Sequence, residues 1–240
     1  MPQNYFITGQ PKAGKTTLLK DLVKELKSDG LKVGGFISPE ERHSGTRTAF
    51  QVMDIDSGKK AGLADVKGDG PKVSKYHVDV KSFESIAVPS MERFESYDVF
   101  VIDEIGAMEM KSSRFSKLLD RILESETPLI ATLNDQFVDI FGGSGEVVAL
   151  DEDNRQAVYL RLLRKAKESI KRKPAPKEEK KEAPKKAKKA VKEKPVKKVK
   201  EKPPAKEAQP KPAEGPHAHV ERKAPPKKES IVDRIKKLFG

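Results

Sequence analysis

Apolar positions in the first 170 residues follow two rhythms that alternate along the chain. Tyr5-Phe6-Ile7, Val99-Phe100-Val101-Ile102 and the segment from Pro128 to Thr132 are short runs without polar interruption, as expected of strands covered on both faces of a parallel sheet. Between such runs the apolar residues recur three and four apart, the spacing of a helix with one buried face. Leu18, Leu19, Leu22, Val23 and Leu26 predict a first helix; Phe115, Leu118, Leu119, Ile122 and Leu123 predict another; Val158, Leu162, Leu163 and Ala166 predict the last, with Asp151 placed to cap it. The first helix ends at Asp29-Gly30, and Lys32 to Ile37 reads as a second strand. Ser82 to Glu95 looks helical, with Pro89 expected to break or kink it. Phe50 to Ile55, Lys60 to Val66 and Val73 to Val80 are short and separated by Ser57-Gly58 and Gly68-Asp69-Gly70, which are hairpin signals. Glu146 to Leu150, after the loop Gly142-Gly143-Ser144-Gly145, is the last strand. The alternation predicts an α/β fold: a mostly parallel sheet with helices on both sides and a small antiparallel excursion. About 170 residues suffice for one such core.

Beyond residue 170 both rhythms stop. From Lys171 onward the chain carries 25 Lys and Arg against 10 Asp and Glu, whereas residues 1–170 carry 24 against 27, so all the excess positive charge lies in the tail. Eleven of the 17 prolines are there too, and 171–226 contains no Leu, Ile, Phe, Met, Tyr or Trp. Such a segment buries too little apolar surface to offset the entropy of ordering it, and 171–229 is expected to be disordered. Ser230 to Gly240 differs, because Ile231, Val232, Ile235, Leu238 and Phe239 are spaced as one face of a short basic amphipathic helix, with Ser230 and Asp233 as a capping box. The absence of cysteine excludes disulfides and thiolate chemistry and suits a cytoplasmic protein. No apolar run approaches the length of a membrane span, and the first strand begins at once, so neither secretion nor insertion is indicated.

Chemistry enters with Gly9-Gln10-Pro11-Lys12-Ala13-Gly14-Lys15-Thr16, which satisfies G-x-x-x-x-G-K-[ST] at every fixed position between a strand and a helix. The glycines let the backbone wrap around phosphate oxygens, the helix dipole and the Lys15 ammonium favour their charge, and Thr16 places a hydroxyl on a magnesium ion. Asp103 and Glu104 end a run apolar on both faces, at the strand end where open α/β sheets hold their ligands. After a complete phosphate loop they read as a Walker B pair. Asp103 is expected to hold the magnesium, and Glu104 to orient and deprotonate an attacking water. The pair also predicts a further strand between the two nucleotide elements.

Gly34-Gly35-Phe36, Glu40-Glu41-Arg42, Gly45-Thr46-Arg47-Thr48-Ala49-Phe50, Lys75-Tyr76, Ser82-Phe83-Glu84, Asp103-Glu104-Ile105-Gly106-Ala107-Met108-Glu109 and Asp153-Asn154-Arg155 resemble the small nucleoside-triphosphatase family that includes the cancer-related nucleoside triphosphatase. The resemblance covers almost all of residues 1–170. It implies a three-layer P-loop NTPase fold and magnesium-dependent hydrolysis of ATP, GTP and other nucleoside triphosphates with little base selectivity. By position it places the nucleotide on Gly9 to Thr16 and on Val99-Phe100-Val101-Ile102-Asp103-Glu104-Ile105-Gly106. Ser74 stands where a glycine usually precedes Lys-Tyr, and Asn134 where a histidine often follows the strand after Walker B. The basic tail lies outside the family pattern.

Phosphoryl transfer loads negative charge onto the transferred group, so a further cation is expected beside Lys15; Arg42 and Arg47 are the candidates, with Arg155 third. Two other functions stay open on the residues alone. One is a nucleotide-switched binding module whose lysine-rich tail engages nucleic acid, an anionic membrane surface or a protein partner. The weaker one is a small-molecule or polynucleotide kinase, against which a water-activating Glu104 argues.

Overall fold

The computed structural model describes residues 4–172 and residue 237. In chain order the elements are β1 (Asn4–Thr8), α1 (Lys15–Ser28), β2 (Val33–Ile37), β3 (Glu40–His43), β4 (Thr46–Asp54), β5 (Lys60–Asp65), β6 (Lys72–Val73), β7 (Tyr76–Val78), α2 (Val80–Glu92), β8 (Val99–Ile105), α3 (Ser113–Leu123), β9 (Leu129–Leu133), α4 (Val138–Phe141), β10 (Glu146–Ala149) and α5 (Arg155–Arg172).

One sheet runs β10-β1-β9-β8-β2-β4-β5-β7-β6, with β3 paired to β4 beside that path. The pairs from β10 to β2 are all parallel, and those beyond β2 are antiparallel. The mostly parallel sheet with an antiparallel excursion is therefore present, and β9 is the further strand between β1 and β8. Because successive strand residues point to opposite faces, each central strand feeds two cores. Phe6, Phe100, Ile102 and Ala131 pack with Phe83 of α2 and Phe115 and Leu119 of α3. Tyr5, Ile7, Val99, Val101 and Ile130 pack with Leu18 and Leu22 of α1 and Leu162 and Ala166 of α5. That division makes three layers and explains why these strands are apolar on both faces.

Several local expectations shift. Glu40 to His43 forms a strand that the sequence pattern did not signal: all four residues are exposed, so there is no apolar alternation to read. The stretch from Val73 to Val80 is two short strands around Ser74-Lys75, with Ser74 at φ 56, followed by the start of α2. The α2 helix begins earlier than Ser82 because Asp79 caps it, accepting from the Ser82 amide. Pro89 sits inside that helix, which nevertheless runs on to Glu92, so the proline removes one rung of the ladder without ending the helix. Asp151 does not cap α5 directly. Its carboxylate accepts from the Asp153 and Asn154 amides at 3.0 and 2.8 Å, forming a tight turn, and the helix starts only at Arg155. The expected tail beyond Arg172 and the amphipathic helix of 230–240 lie, apart from Lys237, outside the described residues.

Candidate active site

The β1 strand delivers the chain to the phosphate loop at Thr8, and α1 starts at Lys15. Between them Gly9, Lys12 and Gly14 have φ values of 138°, 72° and 86°, backbone turns of the kind from which anion-binding loops are built. No side chain caps the N-terminus of α1, which leaves its first amides for an anion. Lys15 Nζ folds back over the loop, donating to the carbonyls of Gly9 at 2.6 Å and Gln10 at 3.2 Å. Gly14 sits at φ 86°, a conformation that favours glycine, and the Arg155 guanidinium from the first turn of α5 lies where a β-carbon there would project.

The Walker B aspartate is built into this loop. Thr16 Oγ1 donates to Asp103 Oδ1 at 3.1 Å, and Thr132 Oγ1, from β9, donates to the same oxygen at 3.2 Å. Asp103 Oδ2 accepts from the Ser38 amide at 3.2 Å, and Ser38 Oγ donates to the Asp103 carbonyl at 3.0 Å. Asp103 is 2% exposed, and its burial pushes the carboxyl up to about 6, against the opposing pull of the Ser38 amide and the Thr16 hydroxyl. Hard oxygens from one hydroxyl and one carboxylate suit magnesium, which is usually held by one or two carboxylates plus substrate phosphates. Among the described residues no cluster of three or more His, Cys, Asp or Glu forms an all-protein metal cage.

Immediately after Asp103 the strand changes character. The β8 to β9 register shifts between Ile102 and Ile105, and Glu104 adopts φ 79°, which is unusual for a residue with a side chain. Its amide donates to Thr132 Oγ1 at 2.8 Å while its side chain emerges exposed. A side-chain carbon at Gly106 would lie 3.0 Å from a Glu104 carboxylate oxygen and 3.1 Å from one of Glu109, so both carboxyls crowd one glycine. Glu109 is 2% exposed; burial, reinforced by the charges of Glu104 and Asp103, holds its carboxyl well above the ordinary carboxylate range.

The structure thus brings Gly9 to Thr16 and Asp103 to Gly106 together. Val99, Phe100, Val101, Ile102 and Ile105 are buried apolar residues that carry the acidic pair. Arg42 and Arg47 lie on the β3–β4 hairpin and both pair with Glu40, at 2.8 and 2.5 Å. Glu40 follows Ser38 by two residues, which places that hairpin on the Asp103 side of the site, whereas Arg155 approaches from the opposite flank of β1, with its guanidinium beside Gly14 of the phosphate loop and a 4.0 Å ion pair with Asp21. Three residues that touch the acidic segment, Ser38, Thr132 and Glu109, were not singled out as site residues from the sequence. The two hydroxyls belong to residue types that are common in loops and strands, and Glu109 lies beyond the strand end; the only signal available was Glu109's place in the Asp103-to-Glu109 stretch. A cavity of about 740 Å³ lies elsewhere, among Phe50, Asp65, His77 and Asp79; none of its lining belongs to the phosphate loop or β8.

A phosphate loop leading into α1, joined through Thr16 to an Asp-Glu strand end with one strand interposed, defines a P-loop nucleotide enzyme. The chain belongs to the NTPase family, whose model matches residues 4–163. It is 40% identical over 168 residues to the nucleoside-triphosphatase THEP1 of Methanocaldococcus jannaschii, spanning 69% of this chain and 98% of that protein. Identity to the Pyrococcus abyssi protein of the same name is 39% over 160 residues, 66% of this chain and 89% of the relative. The crystal structure of THEP1 from Aquifex aeolicus superposes with a TM-score of 0.59 at 29% identity, covering 66% of this chain and 96% of that one. The solution structure of a human cancer-related nucleoside triphosphatase gives 0.56 at 29% identity, covering 68% and 96%. The chain is accordingly a nucleoside-triphosphate phosphatase, and the basic tail lies beyond the matched residues. Among the described residues no helix is long and apolar enough to cross a membrane.

Proposed function

We propose that the protein hydrolyses ATP, GTP and other nucleoside triphosphates to the diphosphate and inorganic phosphate in a magnesium-dependent reaction, in the cytoplasm. The observation that carries this reading is the 3.1 Å contact between Thr16 and a buried Asp103, with an exposed Glu104 as the next residue. Thr16 and Asp103 are the protein ligands proposed for the metal, whose chemistry at such a site is to offset charge on the phosphate oxygens. Lys15 and the loop amides bind the phosphates. Glu104 accepts a proton from water as the water oxygen bonds to the γ-phosphorus; the bond to the β–γ bridging oxygen breaks, and the diphosphate leaves. Arg42 and Arg47, drawn from Glu40 toward the transferred group, are the proposed additional cations. Residues 1–170 carry this chemistry in our reading, with 171–229 a disordered basic segment and 230–240 a short amphipathic helix able to engage an anionic surface or a partner.

The test is phosphate release by the full chain from each common triphosphate. Turnover is expected with magnesium, none with a chelator in excess, and full recovery when magnesium is returned. Unaltered phosphate release in the chelator would overturn the metal assignment.

A further inference from the structure

Resting on that reading of Glu104, we propose that Thr132 is a positioning residue for hydrolysis: its hydroxyl ties the backbone of the water-activating Glu104 to the carboxylate of Asp103, fixing the aim of both.

The hydroxyl has one hydrogen and two lone pairs, and both functions are used. It accepts the Glu104 amide at 2.8 Å and donates to Asp103 Oδ1 at 3.2 Å, giving a directed chain from Glu104 N–H through Thr132 to Asp103. Thr132 is 1% exposed, so water does not substitute readily for either bond. The position is not interchangeable with its neighbours on β9. The β8 to β9 register breaks between Ile102 and Ile105, where the Glu104 amide finds a side-chain hydroxyl in place of a ladder carbonyl. Glu104 is held there at φ 79°, a region that is strained for a residue with a β-carbon, and the hydrogen bond from its own amide to Thr132 opposes relaxation out of it. Relaxation would swing the Glu104 side chain away from the strand end.

The second half of the chain concerns Asp103. Thr16 and Thr132 share Oδ1, and Ser38 holds Oδ2. The Thr16 hydroxyl is also the one proposed for the metal, so Thr132 and Ser38 are the donors that would keep the carboxylate oriented if Thr16 turned to a cation. Outer partners of this kind commonly tune both the affinity of a site and the rate at it.

The experiment compares Thr132→Val, which keeps the shape and removes the hydroxyl, with Thr132→Ser, which keeps the hydroxyl. Thr132→Val is expected to lower kcat roughly 100-fold, the scale on which a misplaced catalytic group costs rate. It is also expected to weaken manganese binding to the nucleotide-loaded protein, read by electron paramagnetic resonance, by roughly 10-fold. Nucleotide affinity measured in chelator should stay unchanged, and Thr132→Ser should recover most of kcat and of the metal affinity. Wild-type kcat in Thr132→Val, a Thr132→Ser as impaired as the valine variant, or a valine variant that loses metal-free nucleotide affinity along with kcat would each overturn the proposal. Should Thr132→Val not fold, Thr132→Ala takes its place under the same criteria. Failure here is distinguishable from failure of the Glu104 assignment, which shows instead as normal turnover in Glu104→Gln.

Discussion

Replacing Glu104 by glutamine is expected to stop phosphate release while leaving nucleotide binding intact. Glutamine preserves size and the hydrogen bond from the residue 104 amide to Thr132, but it cannot take a proton from water. General-base assistance is worth roughly 10²–10⁴ in rate, so the variant should retain at most about 1% of wild-type kcat. The phosphate loop, the Lys15 ammonium and Asp103 are untouched by the change, so calorimetry with magnesium and a triphosphate should give a dissociation constant no weaker than that of the wild type. A glutamine variant that turned over normally would remove Glu104 from the chemistry. One that lost binding as well would show that the exposed carboxylate serves the ground state rather than the reaction.

Asp103 gives the second large effect, and its sign can be worked out. In the unfolded chain its carboxyl has the ordinary value of 3.8, and in the folded protein burial raises it to about 6. The folded state thus holds the proton more tightly. The penalty is absent below 3.8, grows as pH rises toward 6 and is complete above it. At neutral pH this amounts to a loss of stability on the order of 2–3 kcal/mol, the cost of keeping charged the carboxylate proposed to hold the metal. Asp103→Asn should therefore melt higher than the wild type near neutral pH when both are free of metal, and the advantage should vanish in acid, as thermal unfolding across pH would reveal. The same variant should lose hydrolysis. In the wild type, activity at limiting metal should fall as pH drops through about 6, because the proton competes with the cation, and raising the metal concentration should move that fall to lower pH. A midpoint indifferent to metal would contradict the assignment. Glu109, raised in the same direction by burial and by Glu104 and Asp103, adds to the neutral-pH penalty without changing its sign.

The parts of this site that the sequence made legible are those whose chemistry constrains several residues at once. A phosphate loop needs glycines, a lysine and a hydroxyl at fixed offsets between a strand and a helix, and a buried strand that ends in two carboxylates is a sharp break in polarity; both are visible in Gly9 to Thr16 and Val99 to Glu104. The central sheet was legible for the same reason, since strands covered by helices on both faces have no polar face to blur them. Legibility fails where one neutral side chain acts through a long-range contact. Nothing around Thr132 marks it as bonded across 28 residues to the Glu104 amide, and Ser38 reaches Asp103 only because β2 and β8 lie side by side. The β3–β4 hairpin escaped for a different reason: Glu40 to His43 is exposed on every residue, and its pairing comes from backbone and from the Glu40 to arginine contacts rather than from an apolar face.

The central claim is that water, held by Glu104 above the phosphate loop, attacks the terminal phosphorus of a nucleoside triphosphate. Turnover by the full chain in water enriched with heavy oxygen, followed by mass spectrometry of both products, tests it most directly. The account predicts one heavy oxygen in the inorganic phosphate and none in the nucleoside diphosphate. Label in the diphosphate, or phosphoryl release only when a second acceptor is supplied, would contradict it.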